Sequence, residues 1–102
     1  MFEYNGVAYE LKYGLKRIEM AENVLKRSVF EIMRSGSMTT TELVVLFAYG
    51  SIKQGANAWE PPKKALAMAE TMLGEPGAYG EMSDLIAEAI QRDCPFFFPA
   101  GS

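Results

Sequence analysis

The sequence predicts a mainly α-helical domain of about four helices with a short N-terminal β-hairpin. Three observations predict it. Asn5-Gly6 separates two short stretches that alternate apolar and polar residues. From Leu15 onward, apolar residues advance by three or four positions instead of two. Glycine and proline then punctuate the chain at spacings that suit helices of ordinary length. At 102 residues the chain reads as a single domain. A chain of this size buries roughly 60–70% of its unfolded surface, enough for one modest core.

The hairpin spans about residues 2–13. Asn-Gly is the preferred pair for a two-residue type I′ turn, because both positions need positive φ. Phe2 and Tyr4 precede the turn, and Val7, Tyr9, Leu11 and Tyr13 follow with period two, so one face packs and the other is wet. A lone hairpin is marginal in water, so its apolar face must rest on helices or on another chain.

A first helix is expected over about 15–35. Leu15, Ile18, Leu25, Val29, Ile32 and Met33 form its stripe, with Glu22 the one polar residue in register. Glu22–Lys26 and Arg27–Glu31 have the spacing of helical ion pairs. Gly36 suits the C-terminal stop. A second helix, about 40–54, opens on the capping-box spacing Thr39…Glu42 and is apolar enough to be central. A third, about 61–73, starts at Pro61 or Pro62 and stops at Gly74. Glu75-Pro76-Gly77 reads as a turn, Gly80 keeps that loop open, and a fourth helix covers about 82–93. An irregular apolar tail occupies about 94–102.

Composition excludes several chemistries. There is no histidine, which removes Ser-His-Asp and Cys-His arrangements. Cys94 is the one cysteine, so no internal disulfide or four-cysteine zinc site can form. Asp93 beside it favours the neutral thiol, so a structural role is expected. Glu81, Asp84 and Glu88 read as a solvated helix face, since a calcium site needs more oxygens. The glycines form no phosphate loop. Neither metal nor cofactor is expected, and the chain reads as no enzyme. The net charge of -3 argues against nucleic acid, and the basic positions of the first helix are interleaved with acids. No apolar run approaches the ~18 residues of a membrane span. The opening Met-Phe-Glu-Tyr lacks the pattern of a signal peptide, so the cytoplasm is the expected compartment.

Aromatic residues are the candidate protein-binding positions: Phe2, Tyr4, Tyr9, Tyr13, Trp59, Phe96, Phe97 and Phe98. They lie in the hairpin, a loop and the tail. Two readings stay open, a seal over a small core or an interaction surface of the kind aromatic residues and methionine favour.

The run from Phe2 to Tyr13, Phe-Glu-Tyr-Asn-Gly-Val-Ala-Tyr-Glu-Leu-Lys-Tyr, is followed by Arg17-Ile18-Glu19 opening a helix. This opening resembles that of the small tail assembly chaperones of long-tailed, siphovirus-like phages and prophages. The residue-level likeness covers the first third of the chain, and the length and succession of short helices are similar. The resemblance implies a protein that binds the phage tape-measure protein before the tail tube polymerises, with the major tail protein as a further expected partner. It implies no catalytic residues. Members commonly occur as a short form and a frameshifted long form, and the codons of Phe96 to Phe98 could spell a slippery heptamer. Self-association is compatible with this reading. The alternatives are a virion structural protein, such as a minor tail or head–tail connector component, and a small nucleic-acid-binding regulator. Pro61-Pro62 makes the loop before the third helix too long for a helix-turn-helix.

Overall fold

The computed structural model describes residues 1–99. Strands β1 (Phe2–Tyr4) and β2 (Val7–Leu11) form the expected hairpin. Asn5 and Gly6 both take positive φ, 50° and 77°. Glycine adopts that region without cost and asparagine at small cost, which is why this dipeptide turns the chain here.

Helix one divides in two, which corrects the single helix expected over 15–35. Helix α1 (Leu15–Leu25) ends where Lys26 turns left-handed, and α2 (Val29–Ser35) begins after Ser28. The Ser28 side chain accepts the amide of Glu31, and the Glu22 carboxylate accepts the amide of Val29. Both satisfy donors that a new helix start leaves open. The stripe stays in phase across the break: Ile18, Ala21, Val29 and Ile32 are all buried. Leu15 departs from it and is 59% exposed. The expected pairs Glu22–Lys26 and Arg27–Glu31 are replaced, Glu22 by its bond to Val29 and Arg27 by an ion pair with Glu42. Gly36 ends α2 at φ 79°, as its position predicts.

Helix α3 (Thr40–Gly50) opens on the full capping box of Thr39 and Glu42. It is the centre of the fold, packing against α1, β2 and the two helices that follow it. Leu43, Leu46 and Phe47 are sealed from solvent. Burying such side chains stabilises by about 1.5–3 kcal/mol each. The helix stops at Gly50 instead of continuing to 54. Ser51 swings to extended backbone, and Ser51–Lys53 becomes β3, pairing antiparallel with β2. The sheet therefore has three strands in the order β1-β2-β3. Ile52, 3% exposed, gives β3 its place in the core.

After the loop, α4 (Pro62–Leu73) carries proline in its first turn and buries Ala65, Met68 and Ala69. Helix α5 (Ala78–Asp93) starts a turn earlier than the expected residue 82, directly after left-handed Gly77, and takes Gly80 inside it. Ala78, Met82, Ile86, Ala89 and Ile90 face inward. Pro95–Phe97 forms one 3-10 turn where an irregular tail is expected. The remainder of that tail, 100–102, lies outside the described residues. The fold class is mainly α with a small N-terminal sheet, as the sequence predicts. No helix among the described residues is long and apolar enough to cross a membrane.

Candidate functional site

The aromatic residues of the hairpin turn mostly inward. Phe2 stacks on Tyr9 across the hairpin, ring centroids 5.5 Å apart and 13° from parallel. It also meets Phe47 of α3 at 4.8 Å. Tyr9 and Tyr13 are 3% and 4% exposed, so both belong to the core and neither offers a binding surface. The Tyr13 ring lies against Gly50, and its hydroxyl donates to the carbonyl of Leu46. Burial, reinforced by neighbouring Cys94 and Asp93, pushes the Tyr13 phenol well above its ordinary range. Tyr4, half-buried, borders a hollow between β1 and the α4–α5 corner.

Trp59 also has an internal task. Its indole Nε1 donates to the carbonyl of Lys12 at 2.9 Å, and its backbone makes an isolated bridge to Ile52. The Arg17 guanidinium lies 4.9 Å from the indole and 5.4 Å from the ring of Tyr49. Arg17 Nε donates to the Tyr49 carbonyl at 2.8 Å. Such cation–aromatic contacts contribute about 0.5–2 kcal/mol. Arg17 is therefore a brace between α1, α3 and the loop, where the sequence suggests an exposed basic face.

The C-terminal aromatics behave differently. Phe96 and Phe98 are 50% and 46% exposed. Phe97 packs beneath them, 4.8 Å from Phe96 and 5.8 Å from Phe30 of α2. Phe30 is itself exposed and lies under the guanidinium of Arg34 at 5.8 Å. Phe30, Met33, Arg34, Ile90, Phe97 and Phe98 line a hollow of about 360 Å³, and Phe96 lies beside it against Phe97. The eight candidate residues therefore divide. Phe2 and Tyr4 line one hollow, Phe97 and Phe98 another with exposed Phe96 beside it, and Tyr9, Tyr13 and Trp59 hold the fold together.

Sequence reasoning missed Phe30 and Met33 as members of this aromatic surface. The available signal is that Phe30 falls beside the stripe of Val29 and Ile32, where a surface position would ordinarily be polar. It also missed a polar clamp between the end of α5 and the end of β2. The Asp93 carboxylate accepts the amide of Tyr13 at 2.9 Å, and Arg92 donates to the Leu11 carbonyl at 2.6 Å. Burial opposes the charge on Asp93, but the bonds from Arg92 and from the Tyr13 amide outweigh it and hold the carboxyl below its usual range. Cys94 follows, sealed from solvent, with its thiol pushed up to about 11 by burial and by Asp93.

No three cysteine, aspartate or glutamate side chains are grouped as metal ligands among the described residues. Asp84 and Glu88 are exposed on α5. Comparison with protein families, with curated proteins and with solved structures finds no match to this chain.

Proposed function

We propose that this protein is a tail assembly chaperone of a long-tailed phage or prophage. It would work in the host cytoplasm, binding the tape-measure protein and keeping it soluble until the tail tube forms around it. The proposed action is burial of apolar segments, with no catalysis and no cofactor. One structural observation supports the reading most directly: Phe30 and Phe98 stand exposed at a shared hollow lined also by Met33, Ile90 and Phe97, and exposed Phe96 packs against Phe97 beside it. Exposed aromatic surface grouped in one place, with an adaptable methionine in its floor, is what an apolar helix of a client would cover. The likeness of residues 2–19 to that family supplies the client's identity.

Co-expression tests the proposal. The tape-measure protein of the same genome should remain soluble with this chain and co-purify with it. Replacing Phe30, Phe96 and Phe98 by serine should abolish both effects while leaving the far-ultraviolet circular dichroism intact, because all three rings already face solvent. Stoichiometric presence of the chain in mature virions, with no binding to the tape-measure protein, would instead support a structural virion component. A frameshifted long form is part of the same proposal. Synonymous recoding of Phe96 to Phe98 should remove the longer product and spare the short one.

A further inference from the structure

We infer that the free edge of β1, together with the groove beside it, binds an extended segment of a partner protein in which lysine or arginine alternates with apolar residues. This surface is separate from the Phe30–Phe98 surface, and the inference does not rest on the chaperone reading.

The backbone provides the first argument. Among the described residues β1 is an edge strand, paired with β2 on one side alone. Glu3 lies opposite Ala8, and the Ala8 carbonyl accepts the amide of Gln54, just beyond β3, at 3.0 Å. The peptide groups of Ala8 therefore point toward β3. In an antiparallel ladder the residue opposite such a position also turns its amide and carbonyl away from the pair. Glu3 thus presents one N–H and one C=O along the outer edge, the groups that an added strand uses.

The groove provides the second argument. A hollow of about 410 Å³ lies between β1, its turn and the α4–α5 corner. Phe2, Tyr4, Met72 and Leu85 give it apolar lining. The charged residues bordering it are Glu3, Glu75 and Glu81, all exposed, with no lysine or arginine among the lining residues. An extended segment has side chains alternating between two faces, so apolar residues can enter the hollow while cationic ones meet the carboxylates. The same charge disfavours a second copy of this chain. Antiparallel pairing of two β1 edges about Glu3 places Glu3 directly opposite its counterpart, and like charges so placed are destabilising.

The test uses the full chain and a short synthetic peptide alternating lysine with valine, followed by nuclear magnetic resonance at low salt. Amide shifts should move at Phe2 to Asn5 and around Met72, Glu75 and Leu85, and hydrogen exchange at the Glu3 amide should slow. Glu3→Pro removes that outward N–H without costing a bond to β2, as proline on an edge strand permits, and should weaken binding by about ten-fold or more. Glu3→Gln should weaken it by only about two- to three-fold, since one rim charge is lost and the strand edge is kept. The double change Glu75→Lys with Glu81→Lys, at exposed positions, should weaken it by about ten-fold and decides the matter if Glu3→Pro fails to fold. The inference is overturned by absence of binding or by equal affinity for a peptide with glutamate in place of lysine. It is equally overturned by full binding to Glu3→Pro, by shifts confined to Phe30 and Phe96 to Phe98, or by dimerisation through β1.

Discussion

The Tyr13 ring occupies the space that a side chain on Gly50 would need. A Cβ at Gly50 would lie 2.5 Å from Cζ of Tyr13. The ring cannot swing aside, because its hydroxyl is tied to the Leu46 carbonyl and the residue is buried. Gly50 is thus a packing glycine, and it allows the junction between α3 and β3 to sit flush against the end of the hairpin.

Gly50→Ala is accordingly expected to lower stability by about 1–3 kcal/mol, the usual cost of overpacking a filled core. Urea denaturation measures it. An unchanged midpoint would mean that the Tyr13 ring yields. Tyr13→Phe keeps the ring and removes one buried hydrogen bond, and should leave the Leu46 carbonyl short of a donor at a cost of about 1 kcal/mol.

Lys26→Gly should stabilise the chain. Lys26 has φ 55° at the end of α1, a conformation that costs a side-chain-bearing residue about 1–2 kcal/mol. Its side chain is exposed, so little is lost on removal. After the entropy that glycine adds to the unfolded chain, a net gain of about 0.5–1 kcal/mol remains. A melting temperature at or below that of the parent would contradict this.

Acid should weaken the junction of α2 and α3 through Glu42. Burial opposes its charge, but bonds from the Thr39 amide and the Arg27 guanidinium outweigh burial and hold the carboxyl below its ordinary value. The folded pKa is depressed, so the stabilisation is present above the unfolded value. It is lost as pH falls below that value and through the folded one. The parent should therefore lose stability in this acid range more steeply than Glu42→Gln does. Parallel slopes of stability against pH would remove Glu42 from the account.

Cys94 should be chemically silent in the folded protein. It is sealed from solvent, and its thiol is pushed up to about 11. Disulfide reagents near neutral pH should label it no faster than the chain opens, whereas in denaturant labelling should be immediate. The linkage has the opposite sign to that of Glu42. The neutral thiol is favoured on folding, so its contribution holds below the ordinary thiol pKa and is lost as pH rises toward 11. Fast labelling without denaturant would show that α5 frays at its end.

Local signals were readable where one residue type forces one geometry. Asn5-Gly6, Thr39 with Glu42, Pro62 and Gly36 each satisfy a backbone requirement that few other residues meet, and the structure uses all four. Breaks that leave periodicity intact were harder to read. Val29 and Ile32 continue the register of Ile18 and Ala21, so the apolar pattern passes through Lys26 unchanged; the visible trace is Ser28 standing three residues before Glu31. β3 is three residues long and carries one buried β-branched residue, Ile52, too little for period two to register. The candidate surface was half readable. Aromatic identity marks Phe96 and Phe98 as worth attention, but only tertiary structure reveals that Tyr9 and Tyr13 are enclosed while Phe30 is not.

The clamp of Arg92 and Asp93 on Leu11 and Tyr13 bears on how the chain emerges from the ribosome. These bonds join residues 80 and 81 positions apart in sequence. β2 also waits for β3, whose residues are made some forty positions later. The hairpin is therefore synthesised first and secured last. During translation its tyrosines and Phe2 have neither α3 nor α5 to cover them, and contacts so distant in sequence close slowly. The nascent N-terminal segment is then the stretch most open to wrong pairing with a neighbouring nascent chain. Release of a finished α5 is the event that ends that exposure.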